Sequence, residues 1–172
     1  MMLIRSLSCA IALALPLSAL AIKEGEPAPA LEAKLLDGTP FSLSAASGKV
    51  IILNFWATWC EPCRAEMPAL NAYYRAHKSE GLEVLAISMD QPSDDGKVRE
   101  VMRGFAFDAG LGREASFHGY GRIWRLPLTF VIDRNGVLKK DGWYGDPGID
   151  AALLDKVVTP LLAQKIDTKS NR

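Results

Sequence analysis

VIILNFWATWCEPCRAEMPAL, residues Val50 to Leu70, changes character twice, and those changes decide the fold. Val50 to Trp56 is an apolar, β-branched run that reads as a buried strand. It gives way to a short turn carrying Cys60-Glu61-Pro62-Cys63. Alanines and long side chains follow as a helix, with an internal Pro68 that predicts a kink. Strand, turn and helix place Cys60 at a helix start, where unpaired N–H groups and the positive end of the dipole face its sulfur. That setting favours thiolate, the nucleophilic form. Pro62 suits a first helical turn because its missing N–H leaves no bond unmade.

Cys63 lies one turn further on, placed to attack a mixed disulfide formed at Cys60 and release the product. The pair therefore reads as a redox centre. Three plainer readings compete. A zinc half-site needs further ligands, and the chain offers no second Cys-x-x-Cys and only His77 and His118. A purely structural disulfide closing so short a loop constrains the unfolded chain little. Inert structural thiols fit poorly with a strand–turn–helix setting.

The chain has 172 residues, of which 1–21 read as an export leader: Arg5 as a minimal positive region, Ile11 to Leu20 as a short apolar run, and Ala19-Leu20-Ala21 as a small-residue cleavage site. The run is short and interrupted by Pro16, so an uncleaved membrane anchor is the secondary reading. Cys9 would leave with the leader, resolving the odd count of three cysteines. Residues 22–172 are ample for one domain. Removing Arg5 leaves 19 basic against 20 acidic side chains, too balanced to draw nucleic acid or anionic lipid. Export places the cysteines in an oxidising, periplasmic compartment, where a reduced pair needs an outside electron source.

Outward from the central stretch, Glu24 to Pro29 is a Pro-rich lead-in. Leu31 to Leu35 alternates, Asp37-Gly38 turns, and Phe41 to Leu43 returns, a hairpin signal. The redox helix should run to about Ser79 and stop at Gly81. Leu82 to Ser88 reads as a second central strand, parallel to the first. Lys97 to Phe105 has helical spacing, Phe107 to Ala109 reads as a short added strand, and Arg113 to Arg122 as a short helix. Leu128 to Asp133 is the third strong strand, turned by Asn135-Gly136 into Val137 to Lys140. Ile149 to Ala163 closes the domain as a helix interrupted at Pro160, and the polar tail from Lys165 is expected to fray. The expectation is an α/β domain: a central mixed sheet flanked by helices, with an N-terminal hairpin and an inserted α/β segment near Asp94 to Ala109.

Leu126-Pro127-Leu128 stands directly before the third strand, where proline is awkward. Pro127 is either an ordinary trans residue opening that strand or a cis residue packed against the Cys-x-x-Cys turn. The second arrangement leaves Leu126 backbone groups free to pair with a substrate strand.

These residues together carry a resemblance. Gly25 with Ala28-Pro29, Asp37-Gly38, Gly48-Lys49, Asn54 to Cys60, Cys63, Glu66-Met67-Pro68, Leu126-Pro127, Thr129 to Asp133 and Asn135-Gly136 resemble the thioredoxin superfamily. Within it they resemble the TlpA/ResA-like thiol-disulfide oxidoreductases, which include cytochrome c maturation proteins. The likeness covers nearly all of residues 22–172. It implies a thioredoxin-like fold and a cis Pro127 facing the cysteines. Peroxiredoxin relatives share the N-terminal text but carry a Thr-Pro-x-x-Cys nucleophile, where this chain has Trp59-Cys60-x-x-Cys63, so peroxidase chemistry is not expected. Cytosolic thioredoxins carry an aspartate where this chain has Asn54, which moves the proton-handling carboxylate elsewhere. Glu66, three residues after Cys63 on the same helix face, is the candidate, and the resemblance implies an active-site glutamate there. Its plainer reading is a solvated helix glutamate. Glu61 is the second candidate and is expected to face water.

The expected catalytic residues are Cys60, Cys63 and Glu66, with Cys60–Cys63 as the redox disulfide. The expected substrate contacts are Trp59, Glu61, Pro62, Leu126 and Pro127. Glu61 and Glu66 disfavour further negative charge on sulfur, partly opposed by Arg64, so the chain is expected to act as a reductant. No cofactor or metal beyond the cysteine pair is expected. The expected partners are client disulfides, with apocytochrome c or a copper-site assembly protein suggested by the family, and a transmembrane thiol donor. General oxidase or isomerase activity, or a non-catalytic binding module or copper chaperone, are the alternatives; no Met/His cluster supports the last. His118, Tyr120 and Arg122 are assigned no role.

Overall fold

The computed structural model describes residues 22–146 and 148–164, so the expected leader (1–21) and frayed tail (165–172) lie outside the described residues. Val50–Trp56 (β3) is buried along its whole length, as a strand must be when both its faces are covered. Leu82–Ser88 (β4) lies parallel to it, with Val50 opposite Leu82 and Trp56 opposite Ser88. The helix between them, Glu61–His77 (α1), continues through the exposed Pro68, and Gly81 ends the following turn at φ +90°. Leu128–Ile132 (β6) runs antiparallel on the other side of β3, and Leu138–Lys140 (β7) pairs outside β6.

The N-terminal hairpin forms as expected, Glu32–Leu35 (β1) against Pro40–Ser42 (β2). Asp37 accepts from the Thr39 N–H and hydroxyl, and Gly38 takes φ +93°, the left-handed conformation the turn needs. The inserted segment holds Asp95–Met102 (α2) and Asp108–Ser116 (β5). The seven strands run in the order β2-β1-β5-β4-β3-β6-β7.

Strand β5 corrects two expectations. The short strand at 107–109 extends to Ser116, and no helix spans Arg113 to Arg122; only His118–Tyr120 makes a single 3-10 turn. Gly110 and Gly112 read as strand breakers in isolation. In the sheet they are points of close approach: a Cβ on Gly110 would sit 3.0 Å from the Lys34 carbonyl, and one on Gly112 3.0 Å from that of Ser88. Pairing on both sides, parallel to β4 and antiparallel to β1, overrides the local signal. The closing helix is also divided, into Ala151–Val157 (α3) and Thr159–Leu162 (α4) around Val158, because Pro160 cannot continue the hydrogen-bond ladder. Asp150 caps α3 by accepting from the Leu153 N–H at 2.7 Å.

Alternation sorts the core into two layers. Val50, Ile52 and Trp56 join Met67 and Leu70 of α1, Val98 of α2, Leu154 of α3 and Leu161 of α4. Ile51, Leu53 and Phe55 join Leu85, Phe130, Tyr120 and the N-terminal Leu31 on the opposite face. The parity of Asn54 therefore puts its side chain on the helix face, inside the apolar layer containing Cys63. Among the described residues, no helix is long and apolar enough to cross a membrane.

Candidate active site

The Cys60–Cys63 disulfide closes at the carboxyl end of β3, with an S–S distance of 2.01 Å and the Cα atoms 5.3 Å apart. Cys60 is the N-cap of α1 in extended conformation, and its Sγ accepts from the Cys63 N–H at 3.3 Å. An orphan donor of the helix start thus points at the sulfur that becomes thiolate on reduction. Cys60 is 5% exposed and Cys63 wholly buried, so an incoming partner meets Cys60 first. Glu61 and Pro62 occupy the first exposed positions of the helix, and Trp59 is 69% exposed beside Cys60.

The turn before Cys60 is held by a residue the sequence reading missed. Asp90 accepts from the Thr58 N–H at 2.9 Å, the Thr58 hydroxyl at 2.6 Å and the Ser88 hydroxyl at 2.8 Å. Thr58 and Asp90 each lie two residues beyond the last β3–β4 pair, Trp56 and Ser88, so the parallel register brings them together. That correspondence was the available signal.

The Leu126–Pro127 peptide is cis. Leu126 is half-buried, packed against both core layers, including the one that holds the two cysteines. Pro127 is buried just before β6. A Cβ on Gly148 would fall 3.1 Å from Glu66 Oε2 and 4.0 Å from Pro127 Cγ, so the proline loop, Gly148 and the Glu66 carboxyl converge.

Glu66 is not a solvated helix glutamate. Its Oε1 accepts from Asn54 Nδ2 at 2.8 Å and its Oε2 from the Ile149 N–H at 2.9 Å. Burial raises its pKa to about 7, with the two donated hydrogen bonds and the charge of Lys140 limiting the rise and Asp146 adding to it. Asn54 Nδ2 also donates to Thr129 Oγ1 at 2.9 Å, its partner across β3–β6, while the buried Asn54 Oδ1 has no hydrogen-bond partner. A carboxyl one helical turn beyond Cys63 that gains and loses its proton near neutrality can act as a general acid or base.

Lys140 is the second residue not foreseen as part of the site. It is 7% exposed, and its Nζ donates to the Asp146 carbonyl at 2.9 Å and the Thr129 carbonyl at 3.3 Å. Burial lowers its pKa. The β6–β7 register shifts between Ile132↔Leu138 and Val131↔Lys140, and this irregularity carries Lys140 onto the face of Val131 and Thr129 rather than that of Leu138. A lysine at the end of an alternating strand was the only trace of this in the sequence. Outside the site, Trp124 stacks on Trp143 with ring centroids 5.7 Å apart, and Arg125 lies over both. Among the described residues, no group of three His, Cys, Asp or Glu side chains is arranged to hold a metal ion.

Comparison with known proteins places this geometry among relatives. The AhpC/TSA family matches residues 25–141. The chain is 36% identical over 121 residues to a thiol-disulfide oxidoreductase named ResA from Geobacillus thermodenitrificans, covering 70% of this chain and 69% of that protein. It is 34% identical over 124 residues to a Bacillus subtilis thioredoxin-like protein named YneN, covering 69% and 70%. Among solved structures, a thiol:disulfide interchange protein of the thioredoxin family from Chlorobium tepidum superposes with a TM-score of 0.65 at 30% identity, covering 80% of this chain and 96% of that one.

Proposed function

The chain belongs to the AhpC/TSA family and is a thiol-disulfide oxidoreductase, and from that premise we propose that it reduces disulfides in client proteins outside the cytoplasm. The observation that carries the reading is the Cys60–Cys63 pair at a helix start, with a half-buried carboxyl titrating near neutrality on the same helix. The reaction begins with the Cys60 thiolate attacking one sulfur of a client disulfide. The client S–S bond breaks, a mixed disulfide forms at Cys60, and the released client sulfur takes up a proton. Glu66, ionised, accepts the Cys63 proton. The Cys63 thiolate then attacks Cys60, the bond to the client breaks, and the second client sulfur is protonated. Two electrons have passed to the client, leaving Cys60–Cys63 oxidised.

Trp59, Glu61 and Pro62 on one side and the Leu126–Pro127 loop on the other form the rim a client segment crosses. The cysteine pair is the whole redox apparatus in this proposal, with no further cofactor. Charge sets the direction. Glu61 at the helix start, and Glu66 increasingly as pH rises through about 7, oppose accumulation of thiolate, and destabilising the reduced form makes the pair a better reductant. The pair is recharged by a membrane-bound thiol donor. Its clients are haem-site or metal-site cysteines of exported proteins, consistent with the leader read in residues 1–21 and with the family resemblance. A potentiometric titration tests the direction: a potential near that of thioredoxin, about −270 mV, is expected, and a value above about −180 mV overturns the reductant reading.

A further inference from the structure

We propose that Lys140 is a positioning residue for disulfide exchange, a buried cation that anchors both hydrogen-bond donors of Glu66 and supplies the charge opposing it. The inference rests on the proton-transfer role given to Glu66 above. Two routes lead from the ammonium to the two carboxyl oxygens. Along one, Lys140 Nζ donates to the Thr129 carbonyl, while the Thr129 hydroxyl accepts from Asn54 Nδ2, which also donates to Glu66 Oε1. Along the other, Lys140 Nζ donates to the Asp146 carbonyl. Asp146 Oδ1 accepts from the Gly148 N–H at 3.1 Å, and the next N–H, that of Ile149, donates to Glu66 Oε2. The irregular β6–β7 pairing puts Lys140 on this face, and the regular register of Leu138 would have put it on the other.

A lysine in this position is costly to bury, so an apolar side chain would serve packing alone better. What the cation adds is charge. The charged groups acting on Glu66 are Lys140, which favours its ionised form, and Asp146, which opposes it. Lys140 in turn feels Asp146, Glu24, Asp141 and Arg125. Glu24 accepts from the Asp141 N–H at 2.8 Å, and Arg125 donates to the Gly142 and Trp143 carbonyls, so the N-terminal segment and the loop after β7 close over the lysine. With the cation present, burial does not drive Glu66 beyond the range where it exchanges a proton near neutrality. Without it, the carboxyl holds its proton to higher pH, and a smaller fraction of molecules can deprotonate Cys63 near neutrality.

The test follows the Glu66 titration by carbon NMR of the full oxidised chain labelled in its glutamate carboxyls, with the signal identified by its loss in Glu66→Gln. The pH profile of insulin reduction is measured on the same proteins. Lys140→Met is expected to raise the Glu66 midpoint by about one pH unit and shift the rising limb of the rate profile with it. Asp146→Asn keeps the acceptor for the Gly148 N–H while removing the charge, and is expected to move the midpoint down. Opposite movements distinguish charge from a general loosening of the site. A folded Lys140→Met protein with the midpoint unmoved overturns the inference. If that variant does not fold, Lys140→Gln is measured in its place, and an unmoved midpoint there overturns the inference. A Glu66→Gln rate profile identical to that of the parent chain sinks the proton-transfer reading itself, a separate result.

Discussion

Replacing Glu66 with glutamine should make the oxidised protein progressively more stable, relative to the parent chain, as pH rises. In the folded chain the carboxyl titrates at about 7, against an ordinary value of 4.5. Below 4.5 both folded and unfolded chains hold the proton and the site is neutral with respect to pH. Between the two values the folded chain keeps a proton that the unfolded chain has released, so stability falls as pH rises, and the loss is complete above about 7. At about 1.4 kcal/mol per pH unit, the difference amounts to about 3 kcal/mol. Glutamine does not titrate, so the variant lacks this pH dependence whatever its constant offset in stability. Asp108 and Asp141, also raised by burial, are common to both proteins and largely cancel in the comparison. Urea unfolding with the disulfide intact, followed by circular dichroism from pH 4 to 8.5, reads the effect. With a slope of about 1–3 kcal/mol per molar urea, the midpoint difference between variants should widen by about 1 M or more across that range. A midpoint difference that stays constant with pH, or narrows as pH rises, refutes the placement of Glu66 as a half-buried proton carrier.

Other perturbations address the scaffold and the rim. Asp90→Ala removes the acceptor for three donors around the redox turn and should cost about 2–4 kcal/mol in urea unfolding, hydrogen bonds to a charged group being the stronger kind; a loss under about 0.5 kcal/mol contradicts the role given to it. Gly110→Val forces side-chain atoms against the Lys34 carbonyl and Ile87, and should destabilise by about 1–3 kcal/mol, measured the same way. Trp59→Ala should leave stability within about 0.5 kcal/mol because the ring is mostly exposed, while raising KM for insulin reduction; an unchanged KM removes it from the client rim.

The parts of the molecule legible in the sequence are those whose signals are local. The strand–turn–helix around Cys60, the Asp37-Gly38 hairpin and the Gly81 helix stop each follow from neighbouring residues alone, and the structure reproduces them. Pro127 was locally ambiguous; only the family resemblance singled out the cis form that the structure contains. Strand β5 runs longer than its local text suggests because pairing with β1 and β4 carries it across Gly110 and Gly112. The spacing of Glu66 from Cys63 was readable, but its proton affinity was not. That is set first by burial under distant segments, which raises it, and then by the Ile149 N–H and by Lys140, which limit the rise and reach the site through a strand irregularity that no local pattern announces. Asp90 was hidden for a similar reason, since only the β3–β4 register brings it to Thr58.

The Cys60 sulfur exchanges with outside disulfides, and Cys63 releases the product. The direct measurement is to mix the reduced Cys63→Ser chain with insulin, quench with acid, and map the linked peptides by mass spectrometry. A persistent mixed disulfide joined at Cys60 is the expected result. Finding no adduct, or finding it attached at Cys9 instead, contradicts it.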